Sequence, residues 1–341
     1  MGDIGEFGWI ARLMSQARGG RGVLCGLGDD SAVVNLDSPI LVTTDVLVEG
    51  VHFHRRWGTP RQLGQKAFAV NASDIAAMGG CPVYALIDLR APSMFSVRDL
   101  EDMYRGFRGA AARHGVILIG GNTSRAPELS LAVTLLGRAP NGYITRGGCR
   151  VGNDLYVTGT LGLAALGMLE LRAGRKAGAA VRRFLVPPSR VGIGQALGRT
   201  GLVGGMLDVS DGFLKDLGHL CTASRVGAVV EAGSLPLAAV YRRTRGRDLS
   251  LALTGGEDYE LLFSARPAFS RRVARLRSRF RCPLSRVGRI VAEYRGIRVV
   301  EPDGHVLPIA IGGHDHFSVR RRHRAGTGGP RRIHREGEPT A

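Results

Sequence analysis

Acidic residues in this chain fall where a charge is costly. Asp29 and Asp30 follow Gly26-Leu27-Gly28, and Asp45 closes the apolar run Ile40-Leu41-Val42-Thr43-Thr44. Asp74 sits inside Ala69-Val70-Asn71-Ala72-Ser73-Asp74-Ile75-Ala76-Ala77-Met78, which holds no other charge. Asp208 and Asp211 bracket Val209-Ser210 and follow Met206-Leu207. A carboxylate in such surroundings must be hydrogen-bonded, paired with a base or bound to a metal. Taken singly, each acid is as well explained by a helix cap or a buried ion pair, and Asp29 and Asp208 suit turns. Taken together they point to cations, because the same segments hold almost no Lys or Arg. Two carboxylates ~5 Å apart repel by about 3 kcal/mol at an effective dielectric of about 20. An oxygen-only ligand set of this kind suits Mg2+ shared with substrate phosphates.

Two glycine pairs could supply phosphate-binding backbone. Gly120-Gly121-Asn122-Thr123-Ser124-Arg125 follows an apolar run and offers bare N–H groups, two hydroxyls and a guanidinium. Gly255-Gly256-Glu257-Asp258-Tyr259-Glu260 is a second pair that carries acids. Either pair alone is equally at home in an ordinary turn. No G-x-x-x-x-G-K-[ST] loop is present, and no G-x-G-x-x-G with a downstream V-A-I-K. A nucleotide handled here would have its phosphates neutralised by magnesium and arginine, without a P-loop lysine.

The elements that must position these residues alternate along the chain. Ile40–Val46, Pro82–Leu89, Ile117–Ile119 and Leu129–Leu136 read as strands, and Leu63–Met78 and Val97–His114 show helical apolar spacing. Arg138–Asp154 is rich in Gly, Arg and Asn and suits a domain junction. Beyond it Leu155–Thr158 reads as strand, Leu163–Ala173 as helix, and a further helix starts at Val191. Strands are expected at Val229–Glu231, Tyr259–Phe263 and Ile297–Val300. The fold class is α/β (α+β), in domains of residues 1–140 and 141–318 followed by a basic tail, 319–341.

Composition agrees with a two-domain globular chain. The 341 residues are 44% hydrophobic, enough for substantial cores. No apolar run approaches the roughly 18 residues of a membrane span, and the N-terminus lacks a signal-peptide pattern. The five cysteines lie far apart with no C-x-x-C pair, so no disulfide framework or zinc site is expected and a reducing cytoplasm fits. The charge of +18, from 47 Lys+Arg against 29 Asp+Glu, raises nucleic acid as a partner. Only Lys66, Lys176 and Lys215 are lysines, so the excess is an arginine bias of the whole chain, and part of it lies in a tail that reads as solvated and disordered. Neither nucleic acid nor membrane is therefore the expected partner.

These motifs, in this order, resemble the thiamine-monophosphate kinase family of the aminoimidazole ribonucleotide synthetase-like superfamily. The matching segments are Gly5-Glu6-Phe7, Gly26-Leu27-Gly28-Asp29-Asp30-Ser31-Ala32, Thr43-Thr44-Asp45 and Glu49-Gly50-Val51-His52-Phe53. Lys66-Ala67 with Ala69–Gly79, Gly120-Gly121-Asn122-Thr123 and Val157-Thr158-Gly159-Thr160 follow. Asp208-Val209-Ser210-Asp211-Gly212, Gly255–Glu260 and His314-Asp315-His316-Phe317 complete the set. The resemblance implies a two-domain fold, a homodimer formed by pairing of N-terminal sheets, and ATP-dependent phosphorylation of thiamine monophosphate to thiamine diphosphate.

By position, it implies Mg2+ ligands at Asp30, Thr43, Thr44, Asp45, Asp74, Asn122, Asp208 and Asp211. ATP contacts fall on Gly121, Asn122, Arg146 and Ser210, with Tyr104 near the base. His52, Glu257 and His314 fall on the thiamine phosphate, while Asp45, Asp74, Asp211 and Arg146 carry the catalytic roles. The family pattern has Gly-Gly-Asp-Thr where Asn122 stands, and an aromatic residue where His314 stands. The first change removes a negative charge from a metal site, with weaker binding of one Mg2+ or slower turnover as the expected effect. The second weakens stacking on the substrate's heterocycle. Two alternatives remain: a superfamily enzyme acting on another phosphorylated small molecule, and a catalytically impaired nucleotide-binding or RNA-associated paralogue.

Overall fold

Period-two patterning in Pro39–Val48 and Ser130–Arg138 makes strands with one covered face. They pair antiparallel from Ile40 opposite Arg138 to Val48 opposite Ser130. The computed structural model describes residues 23–25, 32–35, 39–293 and 296–308. Around that central pair it builds a six-stranded sheet from β1 (Val23–Cys25), β2 (Ala32–Asn35), β3 (Pro39–Val48), β4 (Cys81–Ala91), β5 (Ile117–Arg125) and β6 (Ser130–Arg138). Their order is β1-β2-β3-β6-β4-β5, antiparallel except for the β4–β5 pair.

Two helices cover one face of this sheet, α1 (Pro60–Ala77) and α2 (Val97–Ala112). Helix α1 starts at a capping box, in which Gln62 N donates to Thr59 Oγ1 at 3.2 Å and Thr59 N donates to Gln62 Oε1 at 2.9 Å. Pro60 follows in the first turn, where its missing N–H costs nothing. Almost every residue of α1 from Gly64 onward is buried, because its far side packs against the second half of the chain. The two helices approach backbone to backbone: a Cβ on Gly64 would lie 1.9 Å from the Met103 carbonyl oxygen, and one on Gly106 would lie 2.0 Å from that of Arg61.

The second sheet has the order β12-β9-β11-β7-β10-β8. Its strands are β7 (Asp154–Thr158), β8 (Val203–Asp208), β9 (Val226–Glu231), β10 (Leu261–Ala265), β11 (Leu284–Ala292) and β12 (Ile297–Val300). Between and around them run α3 (Leu163–Arg172), α4 (Ala179–Leu185), α5 (Val191–Gly198), α6 (Phe213–Ser224), α7 (Ala239–Arg245), α8 (Ser250–Thr254) and α9 (Ser270–Phe280). Helix α1 packs against β8, β10 and α5 of this half, so one helix serves both sheets. Among the described residues no helix is long and apolar enough to cross a membrane.

Two expectations shift. The strand expected over Tyr259–Phe263 begins at Leu261, because Glu257 (φ 72°) and Tyr259 (φ 49°) are left-handed and cannot join a ladder. The Gly120-Gly121 pair, read as the turn after a strand, lies inside β5. A register shift accommodates it, and Gly121 takes φ +149° with no room for a Cβ, which would sit 1.9 Å from the Ile87 carbonyl oxygen.

Gly64→Ala is expected to destabilise the protein by about 1–3 kcal/mol through overpacking against α2. Gly109→Ala, in the same α2 but with open space around its Cβ, is expected to be neutral or stabilising by up to about 1 kcal/mol. Urea unfolding of the two variants measures the contrast.

Candidate active site

One helix presents most of the first half of the site. Asp74 on α1 accepts a hydrogen bond from Thr43 Oγ1 of β3 at 2.5 Å. Asn71, one turn earlier, accepts from the Asp45 backbone N–H at 2.9 Å and donates back to the Ala67 carbonyl. Ser73 reaches the other way and donates to Asp208 Oδ2, at the end of β8, at 2.6 Å. Asp45 and Asp74 on the first half thus meet Asp208 on the second. Burial pushes the Asp208 carboxyl up to about 6, against the Ser73 hydrogen bond and the nearby Arg146 guanidinium, with the Asp45 charge adding to the rise.

The turn after β8 is held by a group the sequence reading passed over. Asp216, in the first turn of α6, accepts the backbone N–H groups of Ser210, Asp211 and Gly212 through one oxygen, each at 3.1 Å. Burial, then the charges of Asp211 and Asp208, raise its carboxyl well above the ordinary range. Asp211 pairs with Lys215 one turn along α6 at 3.1 Å. Asp211, Asp216 and His219 offer ligand atoms within 4.8 Å of one another, although the three amides already engage Asp216 Oδ2.

The segment 255–260 closes the site from below. Glu257 N donates to Ser210 O at 2.7 Å and Tyr259 N to Val209 O at 2.8 Å, so this segment is stitched to the Asp208–Asp211 turn. Tyr259 is buried, and its phenol is pushed far up, first by burial and then by Glu257, Asp45, Asp208 and Asp74. The charges of those four acids thus all reach one side chain. Asp258 is spent on structure: it accepts from Gly162 N at 2.6 Å and Ala164 N at 3.2 Å, at the start of α3. Glu260, with 0% exposure, takes two hydrogen bonds from Arg190 at 2.5 and 2.6 Å, one from Arg183 at 2.7 Å and one from Thr158 at 2.6 Å. Burial alone would raise its pKa, but the two guanidiniums hold it below the ordinary value.

In the turn after β3, His52 Nδ1 accepts the Val48 backbone N–H at 3.0 Å, which fixes the neutral ring's proton on Nε2. Lys66 of α1 pairs with Glu257 at 2.5 Å. A cavity of about 300 Å³ opens beside Lys66, with Phe53, Phe95 and Phe184 among its walls.

The structure splits the remaining expected residues. Thr44 points to the sheet face opposite Thr43 and Asp45, where Thr134 Oγ1 donates to its hydroxyl at 3.2 Å. Asn122, on the exposed edge strand β5, lies opposite Asp88 and donates to it at 3.4 Å. Asp88, Asn122 and Thr44 share that face by register. Tyr104 of α2 is hydrogen-bonded to the Thr123 side chain, and burial raises its phenol pKa. Ser210 lies in the turn held by Asp216, and Arg146, whose charge lowers the Asp208 pKa, sits in a short 3-10 turn packed against β8 and α6. Asp30 and His314, like Asp29, Gly5–Phe7 and the tail, lie outside the described residues.

Sequence reasoning gave no role to Lys66, Ser73, Asp216 or Tyr259. Lys66 carried a signal, being one of three lysines in an arginine-rich chain and set in an apolar helix. Tyr259 carried none, since its role depends on a backbone turn.

Comparison with known proteins follows the same outline. The family model described as AIR synthase related protein, N-terminal domain, matches residues 28–139, and its C-terminal counterpart matches residues 150–301. The chain is 35% identical over 331 residues to the thiamine-monophosphate kinase of Escherichia coli K12, covering 92% of this chain and 99% of that protein. It resembles the structure of AaThiL complexed with AMPPCP and TMP with a TM-score of 0.80 and 31% identity, covering 93% of this chain and 98% of that one. Against thiamine-monophosphate kinase from Stenotrophomonas maltophilia the TM-score is 0.73 and the identity 36%, covering 89% of this chain and 98% of that one.

The raised Asp208 pKa has a sign that can be measured. The folded chain keeps a proton there that the unfolded chain has lost, so this contribution to stability is fully present below pH 3.8 and is lost as pH rises through about 6. In metal-free buffer the melting temperature of wild type relative to Asp208→Asn is expected to fall across that window. Millimolar MgCl2 at pH 7.5 is expected to raise the wild-type value and leave Asp208→Asn unmoved.

Proposed function

We infer the function from one premise: the chain belongs to the AIR synthase related protein family, and its relatives over nearly its whole length are thiamine-monophosphate kinases. The reading is ATP-dependent phosphorylation of thiamine monophosphate to thiamine diphosphate. The observation that carries it is the meeting of Asp45, Asp74 and Asp208 across the two halves of a chain with this fold.

The acceptor is a phosphate monoester, already anionic at neutral pH, so no strong base is required. The task is to align two polyanions, and positioning with charge neutralisation achieves it. The donor set suits Mg2+: all the ligands are oxygens, and buried Asp208 has its pKa raised by burial and, less, by the Asp45 charge. Asp45, Asp74, Asp208 and Asp211 would hold the ions, with the Thr43 hydroxyl bonded to Asp74 beside them; Asp30 is assigned to the same set from its sequence motif alone. Bound Mg2+ would neutralise phosphate charge and orient the transferring group. Arg146, near Asp208, is assigned to the ATP phosphates, with Ser210 and Gly121, and Tyr104 is assigned to the base. His52 is assigned to the acceptor's phosphate through Nε2–H, and Glu257 to the acceptor as well, with His314 assigned there from its sequence motif alone.

The homodimer is part of the same proposal. Edge strand β5 is exposed along almost its whole length, and Ile117 and Ile119 are 58% and 54% exposed. Val46 and Tyr84 are exposed on the same sheet. A second copy seated there would cover them and approach Thr44 and Asn122. The family models end at 139 and resume at 150, which supports a boundary between residues 140 and 141, and the free Cys81, Cys149, Cys221 and Cys282 suit the cytoplasm.

Purified protein with ATP and Mg2+ is expected to convert thiamine monophosphate, but not thiamine, to a product that co-elutes with thiamine diphosphate. Asp74→Asn and Arg146→Ala are each expected to lower kcat by about 100-fold or more. Conversion of thiamine at an equal rate, or full activity in both variants, would overturn the reading.

A further inference from the structure

Lys66 is the only ammonium on α1, and it is 2% exposed. Its three N–H bonds have three destinations. Nζ pairs with Glu257 Oε2 at 2.5 Å, donates to the His52 carbonyl oxygen at 3.3 Å and lies 3.7 Å from the centroid of the Phe184 ring. These partners belong to three separate segments: the turn after β3, the 255–260 segment and helix α4. One of them, Glu257, is in the left-handed region at φ 72°, a conformation its surroundings must hold in place. Its side chain keeps 22% exposure, so the pair is closed on the lysine side and open on the other. Lys66 also lines the 300 Å³ cavity, so the pair stands at the edge of space large enough for a ligand.

A buried ion pair of this kind is a weak source of stability, since an apolar pair of the same volume serves as well. What it provides is a fixed geometry for the carboxylate and for the peptide of His52. We propose that Lys66 is a positioning residue for the phosphorylated acceptor. It holds Glu257 and the His52 turn at one separation, and acts on acceptor binding and not on ATP. This rests on the kinase reading above.

The experiment is a kinetic double-mutant cycle on the full chain with Lys66→Met, Glu257→Gln and the double variant, each assayed against both substrates. Lys66→Met is expected to raise the KM for thiamine monophosphate about tenfold or more, with the KM for ATP within about twofold of wild type. The double variant is expected to be no worse than Lys66→Met alone, because both changes undo one arrangement. Lys66→Arg, which keeps the charge with a different reach, is expected to fall between wild type and Lys66→Met. A purely structural role would lower the melting temperature and scale kcat with the folded fraction while leaving both KM values alone, and that result would overturn the proposal. So would equal rises in both KM values, or fully additive losses in the double variant. Should Lys66→Met fail to fold, Lys66→Arg and Glu257→Gln carry the same KM comparison. Absence of any thiamine diphosphate from wild type overturns the kinase reading, and this inference with it, before a variant is assayed.

Discussion

A helix with no side facing water cannot leave a polar group to the solvent, and this constraint organises the molecule. Helix α1 is buried at nearly every residue from Gly64 onward, yet it carries Lys66, Asn71, Ser73 and the half-buried Asp74. Each found its partner in a strand or loop outside the helix: Glu257 for Lys66, Asp208 for Ser73, and on β3 the Asp45 amide for Asn71 and Thr43 for Asp74. Buried polar groups left unmatched cost about 1–3 kcal/mol each. The pairing therefore fixes how the two sheets meet, and the acids converge as a consequence of how the core is built.

The carboxylates around this helix divide by what faces them. Glu260 is matched by two guanidiniums that hold its pKa below the ordinary value against its burial, so it is part of the frame. Asp208 has a hydroxyl and a nearby Arg146 but also the Asp45 charge, and its affinity for a proton rises. A site that holds a proton more tightly than water would allow is one that accepts another cation in its place. The same burial thus yields a structural anchor at one position and a ligand at another, decided by the neighbouring charge.

Much of this was legible in the residues. The low charge of 69–78 marked Asp74, and the alternating apolar runs marked β3, β4 and β6. What escaped were facts that need a third dimension. Thr43 and Thr44 are neighbours in sequence with identical side chains, yet the pleat sends them to opposite faces, and only one meets Asp74. Helix α9 was not anticipated because its arginines resemble those of the whole chain, and only Leu276 is buried along it. Tyr259 and Glu257 take their places from left-handed backbone, which no periodicity reports.

The turn Ser210-Asp211-Gly212, with three successive backbone amides converging on one point, is the kind of cradle that captures phosphate groups. Here Asp216 already occupies it as a tethered internal anion. An inhibitor built around a phosphate or sulfonate would have to evict an anion tethered four to six residues away in the same chain. Chemical mimicry of the donor's phosphates is better aimed at the arginine, the Ser210 side chain and the acid cluster, and the backbone amides of 210–212 are best treated as closed ground.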